Sequence, residues 1–446
     1  MNRLANVLIA GTETPRIERL QTLLHANNCH SFLCGKGGDV SSLAREDHPD
    51  LIVLDMDGDV DAALDRARTL RNDAETACLP VVLQVETADA GLYGRALEAG
   101  IEDIFTSDLR GEELFLRVHP LLRLSTQVAE MRRRRTIARR SGADLPARPD
   151  LSLAKKRFSI LTVAADEPVA AAITGAMGGK AKLSRSDTLV SAREMLFDGQ
   201  FEAAVVNLAD PAGIGAVFEF CDEVRNNPRL FNLPIVLVRG PGIEADPASA
   251  LRSGASRLLD AGDVETALGY ILTSLGNRQR RRWRISEAIR ATRVPETTDP
   301  ETGAYSQTFL RAYLDALIAE AEQGQRHVSL LSLAFPDGIE QIKAEFGAKA
   351  AANLVRSVAQ WVGRLVRLED LVAFAGGSEF HVVLPDTSAD VADMVMHRVA
   401  GIIDFTDFSV QDVYRPVNIS VTMGLAELLP GDNSETLILK SHENLR

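Results

Sequence analysis

Two short runs in the last third of the chain carry residue types suited to chemistry. Arg367-Leu-Glu-Asp370 sets a guanidinium and a carboxylate three positions apart, and Gly376-Gly377-Ser378-Glu379-Phe380 follows after a brief apolar stretch. A planar arginine fork donates to two acceptors at once, which suits the O6 and N7 edge of guanine. A carboxylate accepts from the N1–H and N2–H₂ edge. Paired glycines between apolar runs read as a β-hairpin turn, so the Arg and Asp stand at the mouth of a hairpin. The competing reading is an i,i+3 charge pair on the surface, at the end of a helix that already carries Arg364.

The elements that must position these residues follow from periodicity. The expected order is helix 306–323, strand 328–335, helix 338–366, hairpin 371–385, helix 388–404 and strand 417–427. With the glycine turn, that order resembles the GGDEF domain of diguanylate cyclases, which condense GTP into cyclic di-GMP. The upstream R-x-x-D resembles the product-binding inhibitory site of that family. The resemblance implies cyclic di-GMP as ligand, held by Arg367 and Asp370. The family adds an arginine from the helix after the hairpin, and counting from Phe380 places Arg398 there.

The cyclase positions of the same family are changed. Its first metal carboxylate falls on Ala334 and its turn carboxylate on Ser378; its guanine-reading Asn falls on Lys343. Its F-G-H-D-x-G-D segment reads Phe346-Gly347-Ala348-Lys349-Ala350-Ala351-Ala352, so the last acid falls on Ala352. Two-metal phosphoryl transfer needs acidic oxygens around Mg²⁺. The expectation is therefore a non-catalytic cyclic di-GMP receptor with no metal and no enzyme activity. The alternatives are a weak cyclase using Asp337 and Glu379 as relocated ligands, and a scaffold that binds no nucleotide.

The 446 residues are long enough for about three domains. Apolar residues make up 46% of the chain, as in globular proteins, and the net charge of −13 argues against a nucleic-acid binder or a membrane-surface protein. No apolar run approaches spanning length. Cys29, Cys34, Cys78 and Cys221 are scattered, which fits a reducing cytoplasm. An internal repeat fills the first two-thirds: PDLIVLDMDGD (49–59) with FEAAVVNLADP (201–211), LPVVLQ (79–84) with LPIVLV (233–238), and ALEAGIEDIF (96–105) with ALRSGASRLL (250–259). Continuous short apolar runs between amphipathic stretches predict flavodoxin-like, doubly wound parallel sheets. At these residues both copies resemble receiver domains. The boundaries are receiver 1 over 1–140, receiver-like domain 2 over 151–285 and the GGDEF-like domain over 286–446. Receiver, receiver, GGDEF is the order of PleD-type response regulators.

In the first copy Asp55 ends its strand as the candidate phosphoacceptor, but the acidic pair of a receiver aligns with Gly11 and Thr12, and the Thr/Ser and Lys with Val85 and Ser107. In the second the acceptor is Asn207 and the pair is Ala164-Ala165, so that copy reads as an adaptor or dimerisation scaffold. Arginine clusters at 132–140 and 278–284 read as solvated helix faces favourable near helix C-termini, and Trp283 as a helix-packing residue. Resemblance to a PleD-type paralogue with a degenerate GGDEF domain implies output through regulatory protein partners. It implies a protease adaptor complex and its substrate, a homodimer, and a cytoplasmic protein recruited to a cell pole. No nucleic acid and no membrane insertion are expected.

Overall fold

The computed structural model describes residues 4–446 except 36, 56, 57, 108, 110, 152, 154, 155, 165, 166, 228, 336, 337, 412 and 446. Each repeat folds as a five-stranded parallel sheet with helices between consecutive strands. The first contains β1 (Ala5–Ala10), β2 (Cys29–Cys34), β3 (Leu51–Leu54), β4 (Val81–Gln84) and β5 (Asp103–Phe105), ordered β2-β1-β3-β4-β5. The second contains β6 (Phe158–Val163), β7 (Ala181–Ser186), β8 (Ala203–Leu208), β9 (Ile235–Arg239) and β10 (Arg257–Asp260), ordered β10-β9-β8-β6-β7. Strands β3 and β8 are buried at every position, as continuous apolar runs covered on both faces must be.

The remaining sheet is antiparallel: β11 (Val328–Ala334), β12 (Leu371–Gly376), β13 (Glu379–Pro385) and β14 (Thr422–Glu427), ordered β12-β13-β11-β14. Period-two alternation divides its side chains between two cores. Leu331, Leu333, Phe380, Val382 and Leu384 pack against the helices Ala348–Leu365 and Ala389–Asp404. Leu330, Val383, Leu371 and Ala373 pack on the other face with the helix Gln307–Gly324. The fold is thus α/β throughout: two receiver-like parallel sheets, then a GGDEF-like domain.

Several local expectations are corrected. The helix expected over 338–366 is two helices, Gly338–Phe346 and Ala348–Leu365, parted at Gly347 with φ at 87°, a left-handed value that glycine adopts without a Cβ clash. The last strand begins at Thr422; upstream, Val417 makes only an isolated bridge with Phe408. A C-terminal helix, Ser434–Glu443, was not foreseen; a capping box between Asn433 and Thr436 starts it.

The chain divides into two compact units, one of Met1–Leu4, Thr126–Asp150 and Ile285–Arg446, the other of Ala5–Ser125 and Leu151–Arg284. The arginine clusters are solvated faces only in part: Arg132, Arg139 and Arg140 are exposed, but the others turn inward. In the second unit Arg278, Arg280 and Arg282 are buried; Arg280 pairs with Glu202 at 3.0 Å, and Arg278 and Arg281 pair with Glu102. Burial pushes Glu102 toward higher pKa, but the charges of Arg281, Arg71 and Arg278 outweigh it and hold the carboxyl below its ordinary value. In the first unit Arg133, Arg134 and Arg135 are buried. Helix spacing signals where arginines lie on a helix, not whether a carboxylate waits opposite.

A Cβ at Gly424 of β14 would stand 2.0 Å from the Ser441 carbonyl oxygen of the C-terminal helix. Gly424→Ala is expected to cost about 1–3 kcal/mol through overpacking. Gly401→Ala, exposed on a helix with no atom within 4 Å of the new methyl, is expected to gain up to about 1 kcal/mol. Urea denaturation midpoints of both variants check this, and an unchanged midpoint for Gly424→Ala would refute the close approach.

Candidate functional site

The hairpin of β12 and β13 is closed by Gly377 and Ser378. Gly377 has φ at 60° and Gly376 φ at 109°, the positive sign that the tight turn needs and that glycine supplies. The Ser378 carbonyl accepts from the Phe335 amide at 3.2 Å, which fixes the turn beside the end of β11. In register, Ala334 lies opposite Glu379 on one side and Thr422 on the other. Glu379 Oε1 lies 3.4 Å from His442 Nε2. Lys343 is exposed and pairs with Glu340 at 3.3 Å, within its own helix, and Ala352 is half-buried on the next helix.

These residues offer a divalent cation few acidic oxygens of their own: Ala334 carries a methyl, Ser378 a neutral hydroxyl, and Glu379 one carboxylate, so further oxygens would have to come from substrate phosphates and water. Among the described residues no group of three His, Cys, Asp or Glu side chains could hold a metal. Asp337 lies outside the described residues.

The run Arg367-Leu-Glu-Asp370 is a closed turn. The Arg367 amide donates to Asp370 Oδ2 at 2.7 Å, and the Asp370 amide donates to the Arg367 carbonyl at 3.2 Å. The closure buries Asp370 and leaves the Arg367 side chain exposed. Arg398, on the helix Ala389–Asp404, donates from Nη2 to the Leu365 carbonyl at 3.1 Å. Its guanidinium thus reaches the strand-ward end of the helix Ala348–Leu365, just before the turn. The turn joins Arg367 to Asp370, and Arg398 reaches the chain two residues before Arg367. Arg364, also exposed, sits on the preceding helix outside the turn.

Sequence reasoning passed over the residue inside the motif. Glu369 is 3% exposed, and its contacts come from the segment Thr126–Asp150. Its carbonyl accepts from Arg134 Nη2 at 2.6 Å and its carboxylate from Gln127 Nε2 at 3.2 Å. Arg134 Nε donates to Glu130 at 3.2 Å, and the Tyr313 hydroxyl donates to the same Glu130 oxygen at 2.8 Å. Burial raises the Tyr313 pKa, so the hydroxyl stays a donor. The guanidinium of Arg134 lies 5.8 Å from the Tyr305 ring and 5.9 Å from that of Tyr313. Gln127 and Arg134 lie more than two hundred positions from Glu369 in the chain, and no local pattern announces the contacts.

At the candidate phosphoacceptor, Asp55 is fully buried and gripped by Arg16, whose Nε and Nη2 donate to its two oxygens at 2.6 and 2.5 Å. A Cβ at Gly11 would stand 2.1 Å from the Asp55 carbonyl oxygen, so no acidic side chain fits there without a shift. In the second repeat Asn207 donates to the Ala164 carbonyl at 3.3 Å, and Ala165 lies outside the described residues. No described helix is long and apolar enough to cross a membrane.

Residues 296–446 match the family described as "Diguanylate cyclase, GGDEF domain". The chain is 25% identical over 451 residues to Response regulator PleD of Caulobacter vibrioides, covering 99% of this chain and 96% of that protein. It is 21% identical over 140 residues to the probable diguanylate cyclase DgcT of Escherichia coli, covering 31% of this chain and 30% of that one. A solved structure, the GGDEF domain of DgcB from Caulobacter crescentus in complex with c-di-GMP, is 24% identical, covers 34% of this chain and 86% of that chain, and has a TM-score of 0.32. The chain is therefore similar to PleD along nearly its whole length, and its last third matches the GGDEF domain model. These matches correct the expectation that it is no enzyme: the family matched is one of cyclases, and relatives carry that name. Substitutions at Ala334, Lys343, Ala352 and Ser378 change side chains on a scaffold that is otherwise kept, and such changes do not by themselves show inactivity.

Beneath the hairpin, His381 is buried, with Nδ1 3.1 Å from Ser332 Oγ, which in turn lies 2.7 Å from Ser441 Oγ. Burial lowers its pKa to about 4. The unfolded chain takes up this proton near pH 6.5 and the folded one only near 4, so stability falls as pH drops through that window. The loss is expected to reach about 3 kcal/mol. His381→Asn should flatten the acid limb of stability against pH between 6.5 and 4, and an unchanged limb would locate the sensitivity elsewhere.

Proposed function

We propose that the GGDEF domain, taken as 286–446, binds cyclic di-GMP at Arg367, Asp370 and Arg398 and signals its occupancy through protein contacts. One observation carries the reading: the closed turn exposes the Arg367 guanidinium on the same rim to which Arg398 is tied through the Leu365 carbonyl. An exposed fork can take the O6 and N7 edge of guanine and a carboxylate the opposite edge, while a second guanidinium suits phosphate or stacking. The preceding regions, 1–140 and 151–285, are proposed as receiver domains, with Asp55 as the one candidate phosphoacceptor. Within the PleD-like group the chain resembles PopA, the degenerate paralogue. From that resemblance alone come an adaptor role in regulated proteolysis, a homodimer and recruitment to a cell pole.

Calorimetric titration with cyclic di-GMP tests the site. Arg367→Ala is expected to weaken binding by about 5- to 150-fold, the loss of one bidentate contact of about 1–3 kcal/mol. Asp370→Ala should be comparably harmful, since it also opens the turn. Arg364→Ala should change affinity little. No binding at tens of micromolar, or equal losses at Arg364 and Arg367, would remove the assignment.

The cyclase reading favoured by the relatives is measured separately, by quantifying cyclic di-GMP formed from GTP with Mg²⁺ or Mn²⁺. Glu379 is the acid that the turn retains, so any turnover is expected to fall at least about 100-fold in Glu379→Gln. Turnover indifferent to that change would place the chemistry on other residues.

A further inference from the structure

We infer that Arg134 and Glu369 are positioning residues for the cyclic di-GMP turn, and that the segment around Gln127 to Arg134 and the dinucleotide bind to opposite sides of that turn cooperatively. The inference rests on the reading of Arg367, Asp370 and Arg398 as the binding site. Its own ground is the placement of Glu369, which lies between the two recognition residues in sequence and is buried where Arg367 is exposed. Its backbone carbonyl is held by Arg134, and its side chain by Gln127.

Arg134 is itself a fixed donor. It is 1% exposed, with Nε tied to Glu130 and its plane near two tyrosine rings. Glu130 is fixed in turn by the Tyr313 hydroxyl. A charge-assisted hydrogen bond from a guanidinium with nowhere else to turn restrains the Glu369 peptide. Asp370 follows Glu369 directly and Arg367 lies two residues before it, so restraining the Glu369 peptide limits the orientations of both recognition groups before ligand arrives. Ordering a loop in advance removes part of the entropy cost of binding. By linkage, a ligand that favours the closed turn must also favour the docked segment.

Such a role differs from simple packing, because it moves affinity and not only stability. Two variants in the full chain separate the cases. Arg134→Met keeps most of the side-chain bulk and removes both hydrogen bonds; it is expected to weaken cyclic di-GMP binding by about 10-fold, the loss of one charge-assisted bond. Gln127→Leu removes only the contact to the Glu369 carboxylate and should cost about 3-fold. Arg134→Lys, which restores a charged donor, should recover most of the loss. Hydrogen exchange on wild type should show amides of 127–137 slowed by saturating cyclic di-GMP.

The outcomes are distinguishable. Folded variants that bind as tightly as wild type, or exchange over 127–137 unmoved by ligand, overturn the positioning role while leaving the site standing. Should Arg134→Met fail to fold, Gln127→Leu and the exchange measurement decide. Absence of binding by wild type overturns the site itself, and this inference with it.

Discussion

The turn that leads into the hairpin depends on one contact, the Arg367 amide donating to the Asp370 carboxylate at 2.7 Å. It closes the turn, and closure sorts the residues: the arginine outward, the aspartate into the body of the domain, Glu369 inward and away. Asp370 engages the Arg367 backbone and is buried, while the Arg367 side chain stays exposed.

Elsewhere the chain places its arginines against buried acids. A guanidinium taken out of water needs a partner to offset desolvation. Asp103, reached by Arg117 and Arg257 in the second unit, has burial raising its pKa and those charges lowering it further, to about 2. Carboxylates so held remain ionised through the physiological range. The buried members of the clusters then work as fixed internal ties.

Much of the architecture was legible in the sequence because periodicity carries it. The repeat marked both parallel sheets, and Gly376-Gly377 between apolar runs marked the hairpin, since only a tight turn with positive φ asks for glycine twice. The turn at Arg367 and Asp370 was legible as a local feature because its two ends lie three positions apart in the chain. What stayed hidden depends on distant partners. Nothing local says that Glu130 will meet Tyr313, that Arg134 will reach Glu369, or that Arg16 will close on Asp55. Gly347 was visible as a residue but not as a helix break, because one glycine inside an apolar-periodic run costs only about 1 kcal/mol and is often tolerated.

The two positions where the family would employ a divalent cation have been altered differently. At Asp55 the neighbouring position admits only glycine, and a guanidinium from Arg16 holds both carboxylate oxygens. That charge is covalently attached and stays protonated at any physiological pH, whereas a metal ion exchanges with solvent. An acyl phosphate on Asp55 would have to displace the guanidinium or be accepted by it. At the hairpin no cation replaces the missing acids; Ala334 and Ser378 are neutral, and Glu379 looks toward His442. The first arrangement fixes a charge against the buried carboxylate, and the second leaves a neutral methyl and hydroxyl at the head of the hairpin, with the guanidiniums of Arg367 and Arg398 exposed to solvent.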